Sequence, residues 1–126
     1  GMGGILVGHC TDAFDPATAR ASMGSIFSQR IVKAGKAAFL EWAINNQQRI
    51  IGTSDHAELD YKDVIYPSDS IILMGSERQG ISEDIEAVCK EMVSIPMTGI
   101  CDSLNLAVAA SVMMYERFNQ QKRNIK

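Results

Sequence analysis

Residues 70–82 read SIILMGSERQGIS. The first six form the strongest strand signal in the chain, an unbroken apolar run closed by Gly75. The polar loop that follows carries a second glycine, Gly80. Ser82 then stands where a helix N-cap belongs, with acidic Glu83 and Asp84 where the helix dipole favours them. The reading is a buried strand, a polar loop and a capped helix over Glu83–Lys90. A strand apolar at every position fits a parallel sheet covered on both faces better than a half-exposed antiparallel one.

The same alternation extends in both directions. Upstream, Gly4–Gly8 (GILVG) is a short apolar run between glycines, and Asp15-Pro16 opens a short helix that Gly24 closes. Ile31-Val32 predicts a brief strand. Ala38, Phe39, Trp42 and Ala43 recur at helical spacing over Lys36 to Asn46, and Arg49 to Thr53 predicts a further strand. Ser54 to Asp69 is polar and reads as irregular. Downstream, Met92 to Ile95 predicts a last strand and Ser103 to about Gln120 a closing helix, with Leu104, Val108, Ser111, Val112 and Tyr115 on one face. The tail RFNQQKRNIK is expected to trail into solvent. Strands alternating with helices make this an α/β chain with a parallel sheet flanked by helices.

The chain's 126 residues suit one domain, and with 46% hydrophobic residues it can build a core without staples. A net charge of −3 argues against a chain coated in nucleic acid but leaves room for a local basic patch. The three cysteines, Cys10, Cys89 and Cys101, lack metal-ligand spacing and are odd in number, so reduced thiols in a cytoplasmic protein are expected. No apolar run is long enough to span a bilayer, and no charged-then-apolar leader precedes the first strand. His9 and His56 match no motif.

Ligands of parallel sheets bind beyond the carboxyl ends of the strands. Polar, glycine-bearing loops follow three predicted strands here: Gly52-Thr53-Ser54, Gly75–Gly80 and Thr98–Ser103. The second is not a phosphate loop, because it lacks the lysine pattern and puts Glu77 where a phosphate would rest. It suits a polar or cationic ligand, or it is a tight turn with a surface glutamate. The third follows Pro96, which ends its strand. Asp102 or Ser103 can cap the closing helix, leaving Asn105 in its first turn, where its amide can bond a neighbouring loop.

Taken together, IILMGSERQGIS (71–82) and VSIPMTGICDSLNLAVAASVMMYE (93–116) resemble the second and third motifs of the SpoU (TrmH) family of RNA ribose 2′-O-methyltransferases, in the SPOUT superfamily. DPATARASMGSIFSQRIV (15–32) is similar to an upstream segment of the same family. The resemblance covers almost the whole chain. It implies an α/β domain over 1–126 with a deep trefoil knot towards its C-terminus, whose two motif loops enclose S-adenosylmethionine. Carried over residue by residue, it places Gly75, Ile95 and Leu104 against the cofactor, with Thr53, Met74, Gly80 and Met97 as further pocket residues. Glu77, Ser103 and Asn105 fall at polar motif positions near the reacting end, where they would position loops, ribose or cofactor; Glu77 is not assigned as the base. Arg20 and Arg78 are the candidate RNA-phosphate contacts.

The implied reaction moves a methyl group from a sulfonium to a ribose 2′-hydroxyl and needs no metal. The implied partners are ribosomal or transfer RNA and a second copy of the chain, because the family commonly pairs through this domain. One departure bears on catalysis. The family's N-x-G-x-x-x-R motif is not found in this chain, and the match begins at what would be the second strand. A partial domain lacking the first strand and helix, with catalysis impaired, is therefore expected. Two other readings stay open: a non-catalytic RNA-binding or dimerisation module that keeps the fold, and a flavodoxin-like binder of another nucleotide.

Overall fold

Continuous burial along Ile50-Ile51-Gly52 sets up the larger part of the structure. The computed structural model describes residues 4–7, 30–76, 79–98 and 105–124. The predicted helix after Asp15-Pro16 lies outside the described residues. Contacts group the chain into two units, residues 1–45 and 46–126.

In the first unit, β1 (Gly4–Val7) pairs in parallel with β2 (Ile31–Ala34), in register from Gly4 opposite Ile31 to Val7 opposite Ala34. β2 runs two residues beyond the predicted Ile31-Val32, because β1 offers a four-residue ladder. Helix α1 (Lys36–Asn45) begins with the Phe39 N–H donating to the Gly35 carbonyl at 3.0 Å. Phe39 and Ala43, one turn apart, are its buried residues, and the Phe39 and Trp42 rings lie 6.1 Å apart. Just past the helix, Gln47 takes a positive φ of 50°, the left-handed conformation that commonly stops helices.

The second unit holds a four-stranded sheet. Its strands are β3 (Ile50–Thr53), β4 (Leu59–Asp60), β5 (Ile71–Leu73) and β6 (Glu91–Ser94), all parallel and ordered β4-β6-β3-β5. Successive side chains on a strand point to opposite faces. On one face Ile51 and Val93 join Val64, Tyr66 and Met113 in a buried cluster, Met113 coming from the closing helix α3 (Leu106–Asn124). On the other face lie Gly52 and Met92. A Cβ on Gly52 would sit 2.6 Å from the Met92 sulfur and 3.0 Å from the Cys89 sulfur, so a larger residue there would make those side chains shift. The parallel sheet with helices on its faces is thus as the sequence predicts.

Several local expectations are corrected. Within the stretch read as irregular, Leu59-Asp60 pairs with β6 and leads into a 3-10 turn, Tyr61–Asp63. Helix α2 spans only Glu83–Glu86, and Ala87-Val88 turn out of it. Ser82 occupies the N-cap position but makes no side-chain cap; its hydroxyl donates to the Asp84 carboxylate at 2.7 Å. β6 lies one residue earlier than predicted. The tail does not trail away. α3 stays helical to Asn124, and Arg117 donates to the Ser68 carbonyl.

At the amino ends of the strands, Arg49 and Glu91 pair at 2.8 Å and tie β3 to β6. Arg49 Nε and Glu91 Oε2 are buried without partners, so the pair fixes position more than it adds stability.

Two measurements check this packing. Ile51→Ala opens a cavity at a fully buried site and should cost about 2–5 kcal/mol in urea unfolding. Burial, with Glu86 nearby, raises the Cys89 thiol from the usual 9.0 to about 11. Only the thiolate alkylates, so peptide-resolved labelling of Cys89 in the folded protein should keep accelerating towards pH 11, whereas in urea it levels off near the ordinary thiol value.

Candidate functional site

β5, β3 and β6 are neighbours and parallel, so their carboxyl ends reach one edge of the sheet. Thr53 closes β3, Met74-Gly75 follows β5, and Ile95-Pro96-Met97-Thr98 follows β6. The Thr53 hydroxyl donates to the Leu73 carbonyl at 3.3 Å and lies 3.5 Å from the Met74 sulfur, which locks the first two turns together. On the other side the Ser54 N–H donates to the Val93 carbonyl at 2.9 Å, joining the β3 turn to β6.

The turn after β5 doubles back on itself. The Gly80 N–H donates to the Ser76 carbonyl at 2.9 Å, and the Gln79 N–H to the Ser76 hydroxyl at 3.1 Å. Gly80 has a φ of +66°, which favours glycine. Gly75 is constrained by space: a Cβ there would lie 2.4 Å from the Gly80 carbonyl carbon and 2.6 Å from the Ile81 nitrogen. Backbone cannot swing aside as a side chain can, so this turn exists only with glycine at position 75.

Met74 and Ile95 are half-buried and pack against the Ile51–Val93 cluster, so the edge continues the core outward. Met97 is half-buried too, while Pro96 and Thr98 are exposed. Asn105 departs from its expected place. It stands just before α3, and its Oδ1 accepts the Ala107 N–H at 2.9 Å while its carbonyl accepts the Ala109 N–H at 2.8 Å. Asn105 is the side-chain cap that Asp102 or Ser103 was expected to provide, asparagine being as good a cap as either. Glu77, Ser103, Leu104, Arg20 and Arg78 lie outside the described residues, as do Cys101 and His9. His56 is exposed, 3.6 Å from Asp55.

Among the described residues, the strand-end segments Thr53-Ser54, Met74–Ser76 and Ile95–Thr98 carry no charged side chain, and Asp55 follows at once in the β3 turn. Their chemistry is main-chain N–H and carbonyl groups, thioethers, one isoleucine and small hydroxyls. That set suits a flat heteroaromatic ring held edge-on by backbone and face-on by apolar carbon and sulfur. Among the described residues no group of three His, Cys, Asp or Glu side chains is placed to hold a metal ion.

Sequence reasoning missed the segment 59–68. Tyr66 is buried there, its hydroxyl donating to the Tyr61 carbonyl at 2.6 Å, and burial and Glu116 hold its proton on well above the usual range. Gln120 of α3 spans the same segment: its Oε1 accepts the Tyr66 N–H at 3.0 Å and its Nε2 donates to the Val64 carbonyl at 2.9 Å. No local signal marks these bonds, which join residues over fifty positions apart.

The arrangement agrees with known proteins. The 23S rRNA (uridine(2479)-2′-O)-methyltransferase of Streptomyces viridochromogenes is 34% identical over 123 residues, covering 93% of this chain and 43% of that protein. The crystal structure of the SpoU methyltransferase AviRb from Streptomyces viridochromogenes in complex with AdoMet superposes with a TM-score of 0.86 at 33% identity, over 94% of this chain and 47% of that one. An AdoMet-bound rRNA methyltransferase from Sinorhizobium meliloti gives a TM-score of 0.86 at 35% identity, over 91% and 44%. The chain spans less than half the length of each of these three. The model of the SpoU rRNA Methylase family matches residues 1–115, the glycine-pinned turn after β5 and the start of α3 included. With that match spanning most of its length, the chain belongs to the SpoU rRNA methylase family.

Proposed function

We propose that this chain is the cofactor-holding part of an S-adenosylmethionine-dependent RNA ribose 2′-O-methyltransferase. The observation that carries the proposal is the meeting of three strand ends at one edge, where glycine closes the β5 turn, in a family whose solved members include AdoMet-bound proteins. Thr53, Met74, Gly75 and Gly80 on one side, with Ile95, Met97 and Leu104 on the other, would hold the donor. When bound, the donor supplies an electrophilic methyl group on a positively charged sulfur. The chain's own part is to bind, orient and exclude water. Gly75 keeps the β5 turn closed, Thr53 ties it to β3, and Asn105 fixes where α3 begins. Glu77 and Ser103 belong to the same motif positions and would steady the turns or the ribose. The family's deep trefoil knot is the expected route by which the two motif turns come together.

The substrate is RNA, ribosomal or transfer, and the 2′-hydroxyl as acceptor follows the Streptomyces relative. Arg20 and Arg78 would meet phosphates. The working unit is a homodimer in the cytoplasm. Supporting the dimer, Val108, Tyr115 and Phe118 are 48%, 66% and 55% exposed on the outer side of α3. Val108 and Tyr115 line an open cavity of about 390 Å³ beside Tyr61. Such an apolar stripe on a helix is well suited to another copy of itself. A second reading, a non-catalytic RNA-binding or dimerisation module, is favoured by one observation: this sequence contains no N-x-G-x-x-x-R.

Titration calorimetry with S-adenosylhomocysteine tests the site: the chain should bind it, and Gly75→Val should abolish binding. Absence of binding by well-folded chain refutes the proposal. Methyl transfer to RNA separates the two readings, since the module would bind RNA and leave it unmodified. Sedimentation should show a dimer that Tyr115→Arg converts to monomer.

A further inference from the structure

Resting on that reading of the site, we infer that residues 59–68 act as a strap that sets the distance between β6 and α3, and that Gln120 is its positioning residue. The chain leaves β6 at Ser94, passes through Ile95–Thr98 and enters α3 at Leu106. The strap is fastened to both of these elements. At one end Leu59 and Asp60 pair with Val93 and Ser94, and the Ser94 hydroxyl donates to the Leu59 carbonyl at 3.3 Å.

At the other end the strap is fastened to α3. The Gln120 amide meets two backbone groups of the strap at once, accepting from Tyr66 N–H at 3.0 Å and donating to the Val64 carbonyl at 2.9 Å. Glu116 Oε1, 3.1 Å from Gln120 Nε2, holds that amide the right way round. Arg117 donates to the Ser68 carbonyl, and Val64 and Tyr66 bury their side chains against the cluster that includes Met113.

The amide satisfies both strap groups at neutral pH because it carries one acceptor and one donor in the same plane, which a carboxylate does not. Removing it leaves the Tyr66 N–H and the Val64 carbonyl without these partners and loosens α3 from the strap. α3 is a continuous helix capped by Asn105, so a shift at Gln120 is carried to its start, next in sequence to Leu104 of the proposed site. The strap therefore bears on cofactor uptake although it does not supply the cofactor's own contacts.

Calorimetry with S-adenosylhomocysteine, run well below the unfolding temperature, separates this role from a merely stabilising one. Gln120→Ala should weaken uptake roughly tenfold, while exposed Lys122→Ala leaves it within about twofold. Gln120→Glu provides the sharper arm. At pH 8 its carboxylate would oppose the Val64 carbonyl and Glu116, and uptake should be weak. Near about pH 5 the protonated carboxyl can donate to Val64 again, and uptake should recover relative to wild type. That pH arm also decides the matter if Gln120→Ala does not fold. Unchanged affinity in Gln120→Ala, or no recovery of Gln120→Glu on acidification, overturns the strap. A folded wild-type chain that takes up no S-adenosylhomocysteine overturns the site reading itself, and this role with it.

Discussion

Parallel register across β5, β3 and β6 is the constraint on which the rest depends. Ile51 lies opposite Ile72 and Glu91, and Gly52 opposite Leu73 and Met92, so neighbouring strands finish within a residue of one another. Parallel pairing sends every strand's carboxyl end to the same edge. A slip of one residue in β3 would exchange Ile51 with Gly52, putting an isoleucine against Met92 and Cys89 and a void against Met113. Packing on the two faces thus holds the register, and the register holds the turns in place.

Glycine has two different uses along that edge. Gly52 yields room for sulfur atoms beneath the sheet, and those atoms belong to flexible side chains. Gly75 yields room for main chain, which cannot give way. The first is a matter of core packing and the second of turn closure, although both lie one residue inside or two beyond a strand end.

The parts legible in the sequence were those written in contiguous residues. β3, β5 and β6 declared themselves as apolar runs, and the turns after them by glycine, proline and hydroxyl residues. The family resemblance rested on the same stretches. What escaped was built from partners far apart in the chain. Leu59-Asp60 has no strand pattern of its own and is drawn into the sheet by β6. Gln120 looked like solvent-facing tail because its partners, Val64 and Tyr66, lie more than fifty residues away. Asn105 was read two or three positions too far into the helix because three capping residues, Asp102, Ser103 and Asn105, stand close together. For the site, Thr53, Met74, Gly75 and Gly80 share connected turns, whereas Glu77, Ser103 and Leu104 are known only by their motif positions.

The brevity of β4 has a further effect. An outer strand of a sheet offers its unused backbone to any passing chain, and long ones recruit neighbours into aggregates. Here that margin ends after Asp60, whose carboxylate already accepts the Lys62 N–H at 2.9 Å as the chain bends into its 3-10 turn. An intruding strand would find too short a ladder to hold, which protects the protein's solubility on that flank while its sheet stays open to ligand at the top.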